Sequence, residues 1–287
     1  MLEIVNVFAP WWGFASIIVL GLTALRTVGR LRAASIALAI AIGLRLFVLL
    51  GPMTGASAAT SRREPDLRVI SLNMWKDNAE PALVARWLGE QDADIVILLE
   101  APIGSDVFDA ALRKHYPYQY SCTRNERCST RVLSKWPALA VRHLANGDPE
   151  NRGGLSALTA RIDVSGAPVT IAAVHTDRPW PLGRRDRRLD QIESILRDAK
   201  SPVVLAGDFN SAPWTVSQSR IASAAGLGTA TGTLATWPTW TSIGLLPLDQ
   251  AYVSSCIGTV RAERGPEVGS DHYPLVMAFD RRDCALH

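Results

Sequence analysis

Beyond residue 60 the chain has no excess of charge of either sign. The formal charge of +3 belongs to the first sixty residues, which hold four Arg, no Lys and a single acid, Glu3. A domain that grips long duplex DNA through its phosphates carries a basic excess. The balanced remainder therefore argues against a nuclease built to wrap DNA. Cysteine is scarce: Cys122, Cys128, Cys256 and Cys284 are the four, all after position 120. No His or Cys spacing of the zinc-binding kind surrounds them. Internal repeats and low-complexity tracts are absent too, which removes solenoids and repeat arrays.

Charge is also missing from two long N-terminal runs. Residues 4–25 contain none, and residues 33–50 are apolar except for Arg45. Each run is long enough to cross a hydrocarbon core of ~30 Å as a helix. Trp11 and Trp12 suit an interfacial position. The short connection 26-RTVGRLR-32 carries three Arg, and the positive-inside rule places it in the cytoplasm. Both ends of the hairpin, and everything after Gly51, then lie on the outer side. Arg45 is costly in such a run unless it snorkels or pairs. Two other readings stand beside the anchor. Ala56-Ser57-Ala58 fits the cleavage site of a secretion signal, and the runs also suit a buried helical hairpin of a soluble protein. Anchor and signal both export the remainder. An even number of cysteines in an exported domain suggests disulfides. Cys122 and Cys128 are close enough to close a small loop, and Cys256 with Cys284 is the remaining pair. A zinc site and reduced thiols are the rivals.

The organisation expected is a membrane anchor of two transmembrane helices over 1–51, a linker over 52–66 and a catalytic domain over 67–287. Within that domain short apolar strands alternate with amphipathic helices. Strands are expected at 68–72, 94–99, 130–135, 155–164, 168–175, 203–206, 248–254, 258–262 and 274–279, and helices at 79–91, about 101–115, 184–199 and 215–225. This is mixed α/β, and two sheets with helices outside them suit it.

Polar residues recur where these strands end or begin. In 203-VVLAGDFNSAPW-214 a buried strand is broken by Gly207 and followed by Asp208 and Asn210, which alternation places on one face with Phe209 on the other. Asn73 ends 70-ISLN-73, Glu100 ends 96-VILLE-100, and His175 ends 172-AAVH-175. Asp249 begins 249-DQAYVS-254, and Asp271 and His272 lie in 269-GSDHYPL-275. Taken singly, each has a plain structural reading: a turn or cap for Asn73 and Asp271, a strand edge for Asp249, a core histidine for His175. Glu100 is the exception, because an unpaired acid behind an apolar run is expensive. Strand ends on one edge converge, so the set can share a pocket. Its carboxylates and amides are hard-oxygen ligands for Mg²⁺ or Mn²⁺, and the two His serve proton transfer or phosphate contact.

The order of LNMW, LLE, GDFN and SDHYPL resembles the endonuclease/exonuclease/phosphatase superfamily over about residues 67–280. The resemblance implies a four-layer fold of two packed mixed β-sheets flanked by helices, and metal-dependent cleavage of a phosphate ester. It implies metal ligation by Glu100 with Asn73 beside it, and Asp271 as a second carboxylate on the metal side. Asp208 becomes the residue that positions and deprotonates the attacking water, and Asn210 the one that holds a phosphate oxygen. His272 contacts the phosphate or protonates the leaving group, with Asp249 fixing its ring. His175 is similar to the histidine that meets the phosphate in the deoxyribonuclease-like branch. The anchor followed by an exported domain looks like bacterial teicoplanin-resistance-type membrane enzymes, which act on undecaprenyl-pyrophosphate. The expected partners are thus the lipid bilayer and a phosphorylated substrate, lipid-linked or nucleic acid. An exported nuclease or phosphodiesterase, and a non-catalytic binding module on the same fold, are the alternatives. Weaker candidates are the run 184-RRDRR-188, a phosphate contact or a solvated helix face; the loop residues Trp180, Trp214, Trp237 and Trp240, which can grip a lipid or base or simply pack; and Arg131 and Arg152 as phosphate contacts.

Overall fold

A computed structural model of the chain describes residues 2–50, 64–102, 105–122, 129–143, 155–176, 178 and 184–282. The expected linker therefore lies mostly outside the described residues, as do Cys128, Cys284, Arg152 and Trp180, and nothing describes the side chains of 184–188. Cys122 and Cys256 are both disulfide-bonded rather than free.

The first apolar run folds as two helices, not one: α1 (Leu2–Val7) and α2 (Ala9–Arg26). The break at Phe8 has a cause in Pro10, which sits in the first turn of α2 and has no N–H to continue an earlier helix. The second run is α3 (Gly29–Leu50). Gly13 lets the two helices approach, since a Cβ there would lie 2.9 Å from the Leu46 side chain. By length and composition, Ala9–Arg26 and Gly29–Val48 can each cross a membrane, and most of both surfaces is exposed.

The rest of the chain forms two six-stranded sheets. The first contains β1 (Leu67–Asn73), β2 (Ile95–Leu99), β3 (Tyr118–Ser121), β4 (Arg131–Ser134), β11 (Ile257–Arg264) and β12 (Leu275–Arg281), in the order β11-β12-β1-β2-β4-β3. The second contains β5 (Ala138–His143), β6 (Ser156–Val164), β7 (Ala167–His175), β8 (Val203–Asp208), β9 (Gly228–Thr229) and β10 (Asp249–Val253), in the order β5-β6-β7-β8-β10-β9. Each sheet has one parallel pair at its centre, β1 with β2 and β7 with β8, and antiparallel neighbours outside it. The two sheets thus repeat one topology that no sequence repeat announces.

Alternation along each strand sends one set of side chains between the sheets and the other outward. Val69, Ile97, Leu158, Ile171, Val204 and Phe279 meet in the inner core. Ile70, Leu72 and Leu98 face outward against α4 (Pro81–Glu90) and α5 (Asp106–Arg113). On the far side Leu205 and Phe209 pack on α6 (Arg184–Asp198) and α7 (Val216–Ala224). The result is four layers, helices outside two sheets, as the residue pattern and the resemblance imply.

Strands β3, β5 and β9 were not among those expected. All three lie at sheet edges; β9 is only two residues long, and β5 carries a half-exposed, irregular pattern without clean alternation. Gly207 is also not the breaker the sequence suggests, because β8 runs through it to Asp208. Its φ is +151° and a Cβ would lie 1.8 Å from the carbonyl oxygen of Val174 on the neighbouring strand. Glycine is there to let β7 and β8 close up. Gly207→Ala is expected to destabilise the domain by about 3 kcal/mol or more, read from the urea midpoint. A loss below about 1 kcal/mol would show that the strands can separate without strain.

Candidate active site

The central strands deliver the polar residues to one place. In the first sheet Asn73 closes β1 opposite Leu99, the last residue of β2, so Glu100 emerges beside it. In the second sheet His175 pairs in register with Asp208, and Asp208 with Asp249, giving one row across β7, β8 and β10. The sheets pack face to face, so the row and the Asn73–Glu100 pair meet across the cleft edge.

Asn73 makes the connection between the sheets. Its Nδ2 donates to Asp208 Oδ2 at 3.0 Å and lies 3.4 Å from Glu100 Oε1. Its Oδ1 accepts from the backbone N–H of Trp75 at 2.9 Å, which fixes the orientation of the amide. Glu100 holds φ at +52°, a left-handed conformation that non-glycine residues rarely adopt. That turn aims the carboxylate back into the cleft, where Oε2 accepts from Lys76 N at 2.9 Å. His175 Nε2 sits 3.6 Å from Glu100 Oε1 and 3.7 Å from Asp208 Oδ2.

Asp208 is 1% exposed. Oδ1 accepts from Asn210 N at 2.7 Å, and Oδ2 accepts from Asn210 Nδ2 at 3.2 Å. The chain turns after Asp208, with Asn210 at φ +46°, so the shared face comes from a local turn and not from continued strand. Asn210 Nδ2 also donates to Thr176 O at 2.7 Å. Both amide hydrogens are thus committed, and Asn210 as placed holds the Asp208 carboxylate.

His272 closes the constellation. Nδ1 lies 2.7 Å from Asp249 Oδ2, and Nε2 lies 3.9 Å from both Asp208 Oδ2 and Asp271 Oδ1. Ser270, which the sequence did not single out, orders this loop: its Oγ donates to Asn73 O at 2.6 Å and accepts from His272 N at 3.0 Å. Trp237, seen in the sequence only as a loop tryptophan, donates from Nε1 to Asp271 Oδ2 at 3.1 Å. Arg131 is not at the site. It pairs with Asp109 and donates to Pro102 O, tying α5 to the sheet.

The charges follow from this packing. Burial lowers the affinity of the His272 ring for a proton, but the carboxylates of Asp249, Asp208 and Asp271 outweigh it and lift the pKa from 6.5 to about 10. Burial is the main cause that pushes the Asp208 carboxyl above its ordinary value; the two His and the Asn210 N–H oppose it, and Asp249 adds to it. A proton acceptor poised above the usual carboxylate range thus stands beside a charged imidazolium, the pairing that acid–base hydrolysis needs. With ¹⁵N-histidine-labelled protein in EDTA, both His272 ring nitrogens are expected to stay protonated through pH 8. Asp249→Asn should bring their titration back toward pH 6.5. An unshifted wild-type titration would mean that the carboxylates do not charge the ring.

The oxygens decide whether a divalent cation fits. Asp208, Asp249 and His272 offer ligand atoms within 4.8 Å of one another. Asp249 Oδ1 is buried and has no hydrogen-bond partner among the described residues. A protonated, hydrogen-bonded imidazole has no lone pair to give, so His272 is a poor ligand in this state. Glu100 is partly exposed, and among the described residues its Oε1 has the Asn73 amide and the His175 imidazole near it. A hard cation fits against that carboxylate. Asp271 touches the group through His272, with one oxygen already accepting from Trp237.

Strand-end carboxylates, an Asp–His pair and two packed sheets define a phosphoesterase-type hydrolase fold with a candidate metal site. The sequence profile described as the Endonuclease/Exonuclease/phosphatase family matches residues 70–272, and the chain belongs to that family. No curated protein matches it in sequence. Among solved structures, it is similar to sphingomyelinase C from Streptomyces griseocarneus, with 18% identity, TM-score 0.54, and coverage of 74% of this chain and 98% of that one. It is similar also to a Staphylococcus aureus beta toxin variant with bound magnesium ions, with 17% identity, TM-score 0.55, and coverage of 74% and 99%. A third is the 3′ phosphatase NExo from Neisseria, bound to a product DNA hairpin, with 18% identity, TM-score 0.59, and coverage of 75% and 99%. Likeness at these identities concerns the fold.

Proposed function

We propose that the chain is a Mg²⁺- or Mn²⁺-dependent hydrolase of a phosphate ester or phosphoanhydride, anchored in the bacterial cytoplasmic membrane with its catalytic domain outside, and that its substrate is a lipid-linked pyrophosphate of the undecaprenyl type. The observation that carries the hydrolase reading is the buried Asp208 set between Asn73, His175 and the His272–Asp249 pair. A bound Mg²⁺ or Mn²⁺, held at the Glu100 carboxylate, would supply positive charge against the negative charge that develops on the phosphoryl oxygens. Asp208 takes the proton of the attacking water, with Asn210 holding its carboxylate. His272, kept charged by Asp249, donates to the phosphoryl group or the leaving oxygen. His175 faces both Glu100 and Asp208, where it can meet a phosphoryl oxygen.

The apolar hairpin and the balanced charge of the domain support a lipid substrate. The outward orientation is supported by the placement of Arg26, Arg30 and Arg32 at the α2–α3 turn, while α1 touches the domain at the other end: Trp214 Nε1 donates to Asn6 O at 2.8 Å.

The test uses the full chain in lipid nanodiscs with Mg²⁺ or EDTA. Phosphate release from undecaprenyl-pyrophosphate and nicking of plasmid DNA are followed in parallel. Mg²⁺-dependent release without nicking is expected. Nicking without release would support the exported-nuclease reading, which the position of His175 favours. Neither activity from a folded protein would support a binding module.

A further inference from the structure

The active-site loops carry an apolar edge that the hydrolytic site does not use. The loop between β9 and β10 presents Trp240 at 70% exposure and Ile243 at 66%, with Leu245 beside them. Isolated exposed apolar residues are ordinary, but a grouped edge marks an interaction surface. This edge is tied to the site: Trp240 packs edge-on against Trp237 at 5.4 Å between ring centres, and Trp237 holds Asp271.

The edge is also continuous with the N-terminal hairpin. Trp11 Nε1 donates to Leu245 O at 3.3 Å. Val7, 4% exposed, is buried with Ala212, Leu246 and Leu248, and Trp214 and Trp237 pack on this cluster. Ala212 and Leu248 flank Asp208 and Asp249 in sequence, so the anchor seats on the segments that carry the site. Phe8 and Trp12, next in sequence to Val7 and Trp11, are exposed as well.

We infer that the loop over 239–246 is a membrane-docking edge that inserts Trp240 and Ile243 into the lipid interface beside the anchor, and so turns the mouth of the site toward the headgroup plane. The occupant is the bilayer because the edge is joined by direct contacts to helices long and apolar enough to cross one. Tryptophan at the apolar–polar boundary suits its amphipathic ring. The inference rests on the anchor reading of the proposed function and adds a surface that the reading does not require. An enzyme tethered by two helices can also hold its site away from the bilayer.

The experiment uses the full chain labelled with 5-fluorotryptophan in nanodiscs, with and without doxyl spin-labelled lipid. Trp240→Phe assigns the Trp240 resonance. Spin-labelled lipid is expected to broaden Trp240 together with Trp11 and Trp12, and to leave Trp136, packed against the inter-sheet core, sharp. A sharp Trp240 beside broadened Trp11 and Trp12 overturns the inference while the anchor stands. All of them sharp overturns both. Ile243→Asp is a second check. Its expected effect is an about tenfold fall in the ratio of lipid-pyrophosphate to water-soluble phosphate-ester turnover, and an unchanged ratio counts against docking. The lipid-substrate reading fails separately. Broadening of Trp240 without phosphate release leaves the docking edge and removes the substrate. Release with a sharp Trp240 does the reverse.

Discussion

Glu100→Gln is expected to lower Mg²⁺-dependent hydrolysis on the order of 10³-fold, whichever phosphate ester is supplied. The substitution keeps the shape of the side chain and removes its negative charge. Glu100 is a partly exposed carboxylate of the cleft, and the left-handed backbone at that residue turns it inward. Mn²⁺ binding, followed by electron paramagnetic resonance, should weaken in parallel, and the urea midpoint should stay close to that of the wild type. Intact activity with intact Mn²⁺ binding would move the cation away from Glu100, toward the Asp208–Asp249–His272 cluster. Intact Mn²⁺ binding with lost activity would make Glu100 an electrostatic element of the site and not a ligand.

The second large effect is at His272. Its loss as His272→Ala should cost about 10²–10⁴-fold in kcat, the usual range for a positioned acid or base. Asp249→Asn should cost a large part of the same factor, because the 2.7 Å contact to Nδ1 sets the orientation and charge of the ring. The double variant should be little worse than His272→Ala alone, since the two residues act as one unit. Additive losses would show that Asp249 works independently of the ring.

Stability carries the same signature with pH. The folded ring titrates near 10 and the unfolded one near 6.5. The stabilisation from this pair is therefore complete below pH 6.5 and is lost as the pH rises through about 10. The wild-type urea midpoint should fall across that window relative to His272→Ala, and a constant difference would contradict a raised ring pKa.

How much of the site was legible in the sequence differs by residue. Asp208, Glu100 and His175 stand at or just past the ends of apolar strands, which marks each as a candidate in the sequence, while the packing of the two sheets brings Glu100 to the other two. The pairing of Asp249 with His272 was expected from the family resemblance, while the nearness of both to Asp208 came with the fold. Ser270 was hidden because a small hydroxyl beside Asp271 and His272 reads as an ordinary loop residue. Its value comes from Asn73, 197 positions away. Trp237 and Arg131 show the same limit in opposite directions. The indole reaches the site by folding of its loop, while a guanidinium that chemistry alone would offer to phosphate is consumed by Asp109.

The sequence by itself determined the alternation of strands and helices, the apolar hairpin, and the list of acids, amides and imidazoles, because burial periodicity and side-chain chemistry are local properties. Tertiary structure alone decided the rest. The contact between the N-terminal helices and the site loops, the commitment of both Asn210 amide hydrogens, the close approach at Gly207 and the charge on His272 depend on groups far apart in the chain. A pKa or a steric limit is set by whatever lies within a few ångströms in space, and only the packing of the two sheets brings those neighbours there.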